Sequence, residues 1–76
     1  MSAAENTIRI FDNTNREMRE KIPLYADVFD QLLDITTRLL KKIDADPGIA
    51  ENERNFNIAL WNKVVMYLDR IVTVFN

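Results

Sequence analysis

Residues 39–75 read LLKKIDADPGIAENERNFNIALWNKVVMYLDRIVTVF. Both ends of this stretch have apolar residues at three- and four-residue spacing, the period of an amphipathic helix. Between them, Pro47 cannot continue a backbone hydrogen-bond ladder, and Gly48 accepts the backbone angles that a tight turn needs. A helix, a short stop and a second helix imply an antiparallel helical hairpin.

Working outward, the first helix of the hairpin is predicted over about 23–45, with Pro23 in its first turn. Its apolar residues are Tyr25, Val28, Phe29, Leu32, Leu33, Ile35, Leu39, Leu40 and Ile43. Asp27, Asp30 and Asp34 lie in its N-terminal half and Arg38, Lys41 and Lys42 in its C-terminal half, an order that complements the helix macrodipole. The second helix is predicted over about 49–75. Its apolar residues are Phe56, Leu60, Trp61, Val64, Val65, Tyr67, Leu68, Ile71, Val72, Val74 and Phe75.

An additional N-terminal helix is expected within residues 2–22. Ser2-Ala3-Ala4-Glu5 fits a capping box, and Ile8, Phe11, Met18 and Ile22 fall on one face. Asn15 interrupts that face, and Asp12-Asn13-Thr14-Asn15 are weak helix formers, so a break near residue 13 is one reading. A short strand over Thr7–Phe11, from its alternation, is another. The fold class expected is all-α: the hairpin forms the core, with the N-terminal helix appended, dimerising into a helical bundle. Residues 1–76 make one domain.

The widths of the apolar arcs point to function. Placed at about 100° per residue, the arc of the second hairpin helix spans about 180° and that of the first about 200°. A surface helix ordinarily needs an apolar stripe a little over 100° wide. Once these two helices pack together, part of each arc is left for the N-terminal helix, which would make a monomeric three-helix bundle, for a second copy of the chain, or for another protein. A chain of 76 residues with no Cys and no His has neither disulfide nor zinc to reinforce a small core, and self-association is the common remaining device. The residues expected at a dimer or partner interface are Tyr25, Phe29, Leu32, Phe56, Leu60, Trp61, Val64, Tyr67, Leu68, Ile71 and Phe75, the aromatics being the strongest anchors. Trp61 and Leu68 are expected at the centre of the arc, where packing is tightest, with Val74 at its edge.

Chemistry is harder to build. Without His or Cys, most acid–base and nucleophilic constellations are missing. Ser2 is the only serine and has no base in a recognisable motif, and a single Gly cannot form a phosphate-binding loop. Asp27, Asp30 and Asp34 would need carboxylates on a facing helix to hold magnesium, and Glu17 with Glu20 meets the same objection. No catalytic, cofactor or metal residue is therefore expected, and no enzyme activity.

Ten Lys and Arg against twelve Asp and Glu give a net charge of −2, unfavourable for nucleic-acid binding. Asn62, Lys63, Asp69 and Arg70 interrupt the apolar run from Ile58 to Phe75, against a membrane span. No secretory signal pattern is visible at the N-terminus, so a cytoplasmic location is expected.

The expected function is a protein–protein interaction module, a small regulatory or inhibitory adaptor that sequesters a larger protein. Its shortness, acidity and lack of Cys are similar to those of small phage-encoded inhibitors acting on host proteins. A helix, Asp46-Pro47 and a second helix also resemble type III secretion needle subunits and their small helical chaperones, on that one residue pair. This second resemblance implies the alternative of a structural or secretion-associated subunit.

Overall fold

The computed structural model describes residues 2–74. Three helices account for most of them: α1 (Ala3–Lys21), α2 (Ala26–Ala45) and α3 (Glu51–Val74). They form an elongated bundle of 42 × 20 × 17 Å. A 3-10 turn over Pro23–Tyr25 links α1 to α2, so α2 begins three residues after Pro23 rather than at it.

Helix α1 is continuous, with neither a break near residue 13 nor a strand over Thr7–Phe11. The Ser2 Oγ accepts the Glu5 backbone N–H at 3.1 Å, satisfying one of the free donors of the first turn. Helix α1 buries Ala4, Thr7, Phe11, Thr14, Asn15 and Met18. The spacing from Ala4 through Thr7, Phe11 and Thr14 to Met18 alternates three and four, which is a complete helical seam. Thr7 and Thr14 are part of this seam, and Asn15, which interrupts the apolar face of α1, is buried beside it. Weak intrinsic helix propensity is overridden because Thr14 and Asn15 find partners on the neighbouring helices.

Those partners set the packing. On one side of α1, Thr7 Oγ1 donates to Asn62 Oδ1 and Thr14 Oγ1 to Asp69 Oδ1, each at 3.1 Å. The two pairs are seven residues apart on both helices, which fixes α1 and α3 parallel and in register. Lys21 Nζ extends this side by donating to the Val72 carbonyl at 3.0 Å. On the other side, Asn15 Nδ2 donates to Asp30 Oδ1 at 2.8 Å, and Arg19 grips both oxygens of Asp30. Helix α2 runs antiparallel to α1.

The expectation that the hairpin forms the core with α1 appended is corrected here. Helix α1 packs along both α2 and α3, while α2 and α3 meet far less extensively. Small residues on the α1 seam, Ala4, Thr7 and Thr14, let both neighbours approach it. Where the three helices converge, Ala4, Leu40 and Ile58 form a buried cluster with Ile8 and Trp61 against it. Further along, Phe11, Met18, Val65 and Val72 are fully or almost fully buried.

The corner between α2 and α3 is built by hydrogen bonds. Asp46 Oδ1 accepts the Gly48 N–H at 2.8 Å. Gly48 does not adopt a positive φ. Its value is space instead, since an added Cβ would lie 3.2 Å from Asp46 Oδ1. From α3, the Arg54 guanidinium donates to the carbonyls of Asp46 at 2.7 Å and Ile43 at 3.3 Å, satisfying acceptors that the end of α2 leaves open. The beginning of α3 at Glu51 lies two residues beyond the predicted start.

Candidate interaction surface

Helix α3 carries two apolar rows. The inner row, Ile58, Val65 and Val72, is buried at seven-residue intervals. Trp61 and Leu68 flank it, half-buried, so the tightest packing on α3 is centred on the Ile58–Val65–Val72 row rather than on those two. The outer row is Phe56, Leu60, Val64, Tyr67, Ile71 and Val74, with exposures from 40% at Val64 to 74% at Val74. At about 100° per residue, the centre of the outer row lies roughly opposite the inner one. This row therefore faces away from the bundle.

Helix α2 has a related division. Thr36 and Leu40 are buried, whereas Val28, Ile35 and Leu39 are exposed and Leu32 is half-buried. These residues, with Tyr25 before them, make an outer row of three- and four-residue spacing, turned about 100° from the buried side. Tyr25 is half exposed and meets the half-buried Phe29 edge-on, with ring centroids 6.5 Å apart. Leu24, at 84% exposure, is the most open large apolar side chain described.

Of the interface residues read from the sequence, Phe56, Leu60, Val64, Tyr67 and Ile71 lie together on the outer row of α3. Tyr25 and Leu32 lie on α2's outer row and Phe29 beside it. Trp61 and Leu68 are divided between core and surface, and Phe75 falls outside the described residues. Val28, Ile35, Leu39 and Val74 belong to the exposed rows and were missing from the predicted set. Recognising the seam formed by Thr7, Phe11 and Thr14 would have assigned Ile58, Val65 and Val72 to α1 and left the outer rows as the remainder.

Several charged groups are engaged locally. Hydrogen bonds from Arg19 first and Asn15 second hold the Asp30 carboxyl below its ordinary range, against a smaller opposing effect of burial. Asp30 in turn raises Arg19. Asp12 pairs with Arg16 at 3.2 Å and Asp34 with Arg38 at 2.9 Å, both exposed pairs within one helix. Among the described residues, no three His, Cys, Asp or Glu side chains converge as a metal-holding group, and no helix is long and apolar enough to cross a membrane.

An open cleft of about 320 Å³ lies between the first turns of α1 and α3, lined by Asn6, Thr7, Asn55, Asn62, two alanines and Ile58. The Asn62 carbonyl there already accepts from Thr7. A smaller depression of about 190 Å³, bounded by Phe56, Ala59, Leu60 and Lys63, lies on the outer side of α3 itself. No protein-family model matches the chain, and neither a curated protein nor a solved structure is significantly similar to it.

Proposed function

We propose that this chain is a non-enzymatic, cytoplasmic interaction module, a small regulatory or inhibitory adaptor that binds proteins, itself included, through the outer faces of α2 and α3. The observation that carries this reading is the outer row of α3. Six large apolar side chains stand exposed along one helix face, and together they offer on the order of 600 Å² of apolar surface, at the upper end of the largest patch typical of a monomer. Amphipathic helix surfaces of this form associate with a groove or a second helix, with anchors at three- and four-residue spacing. The larger protein it would sequester supplies such a surface.

Capture experiments test it. The tagged chain is compared with Ile71→Glu, which alters an exposed residue, as bait in extract from the organism that carries the gene. A protein retained by the wild type and lost with the variant is the expected result. Retention of nothing, or of proteins indifferent to the variant, would count against the adaptor.

A structural or secretion-associated subunit is favoured by one different observation. The two outer rows sit on different helices, so a contact joining α2 of one copy to α3 of the next is heterologous and extends into a filament unless its rotation closes a ring. Such a subunit would form polymers that lengthen with concentration, whereas the adaptor would form a discrete species.

A further inference from the structure

We infer that α3 pairs with the α3 of a second copy, side by side and parallel, about a two-fold axis along the helices. This rests on the outer face being an interaction surface, and it specifies one occupant.

The row itself points to a two-stranded helical seam. From Asn57 it passes through Leu60, Val64, Tyr67 and Ile71 to Val74, alternating three and four residues. Val64 and Ile71, β-branched, alternate with Leu60, Tyr67 and Val74. A parallel two-stranded arrangement favours branched residues in the first of these rows, as Val64 and Ile71 are, and Leu in the second, which Leu60 matches and Tyr67 and Val74 do not. Asn57 lies one heptad before Val64 in the same row and is half-buried, with its amide donating to the Glu53 carbonyl at 2.9 Å. A single Asn at such a position fixes register and limits the assembly to two strands.

Charge chooses the direction. Lys63 and Arg70 precede Val64 and Ile71 by one residue each and so line one edge of the row. The other edge is formed by Trp61 and Leu68. An antiparallel pair would bring the basic edge against itself, with Lys63 facing the partner's Arg70 twice over. A parallel pair brings unlike edges together, with Phe56 near the partner's Trp61 and the alkyl stem of Lys63 over the partner's Leu68. Like charges no longer meet.

The area is sufficient. A standard interface buries about 800 Å² per partner, of which somewhat over half is apolar. The outer row of α3, at roughly 600 Å², supplies that apolar share without help from α2. It lies opposite the buried row, so a second α3 can reach it without disturbing α1.

Because the chain contains no cysteine, single introduced thiols report the geometry. Sedimentation equilibrium of the wild type should give a dimer, and Ile71→Glu should weaken self-association by about tenfold or more while keeping its helical circular dichroism. Leu60→Cys should cross-link to itself under mild oxidation, and Val28→Cys on α2 should not. A wild type that stays monomeric at its highest soluble concentration would overturn the proposal. So would cross-linking confined to a mixture of Leu60→Cys and Ile71→Cys, which indicates antiparallel helices, or equal cross-linking by Val28→Cys. The two readings fail separately: a monomer that still captures a foreign protein through α3 removes the self-pairing alone, and a dimer that captures nothing removes the adaptor alone.

Discussion

Val64 and Val65 are adjacent on α3, identical in chemistry and opposite in circumstance. Val65 is completely buried against α1, while Val64 is 40% exposed on the outer row. A helix turns about 100° per residue, so consecutive positions can serve two different partners. The comparison teaches that the apolar content of α3 is two narrow rows with different duties, not one broad core face. The inner row holds the chain together, and the outer row is free to hold something else.

The largest expected effect comes from placing a charge on each row. Val65→Asp should abolish folding, since an unpaired carboxylate in the interior costs several kcal/mol against a total stability of about 5–15 kcal/mol for ordinary domains. Val64→Asp should keep its helical circular dichroism and lose association instead. If both variants unfold, or neither does, the two rows are not functionally separate.

A smaller effect of opposite sign sharpens the inner side. Thr36 is buried on α2, and its hydroxyl has no hydrogen-bond partner. Leaving such a group unsatisfied costs about 1–3 kcal/mol. Thr36→Val keeps the shape and removes the hydroxyl, so it should raise stability by about 1 kcal/mol in denaturant unfolding. A loss of stability would mean that the hydroxyl is paired in solution.

The smallest effect concerns the α1–α2 side. Asp30 has a folded-state pKa below its ordinary value because Arg19 and Asn15 bond its carboxylate. Its stabilisation is therefore fully present above the unfolded pKa of about 3.9 and is lost as pH falls through the lower folded value. The melting-temperature difference between wild type and Asp30→Asn should be constant near neutrality and shrink below about pH 4. A difference that does not change with acid would detach Asp30 from the stability of this side.

The α2 and α3 segments were legible in the sequence because their apolar residues recur at helical spacing and Asp46-Pro47-Gly48 separates them. Their ends moved by only a few residues, where a 3-10 turn replaced the first turn of α2 and Arg54 and Asp46 built the following corner. The presence of α1 was legible too, from the capping box at Ser2–Glu5, but its central place in the bundle was not, for a physical reason. Half of its buried residues are Thr7, Thr14 and Asn15, which periodicity scores as surface, and their suitability for burial depends on Asn62, Asp69 and Asp30 standing opposite. That information lies in pairs of distant residues. The surplus of apolar face is visible in the sequence, but its division into inner and outer rows depends on the place of α1.

The ladder between α1 and α3 has a consequence for the order in which the chain assembles. Thr7 with Asn62 and Thr14 with Asp69 each join residues 55 apart, while Asn15 with Asp30 joins residues only 15 apart. Closing the longer loop costs more entropy, by about 1 kcal/mol on a logarithmic dependence, and non-local contacts form more slowly. Helices α1 and α2 are therefore expected to pair first, with α3 docking last as it threads its polar groups onto α1. Until that moment both rows of α3 are uncovered, and a newly made chain carries an adhesive surface that the finished one has put away.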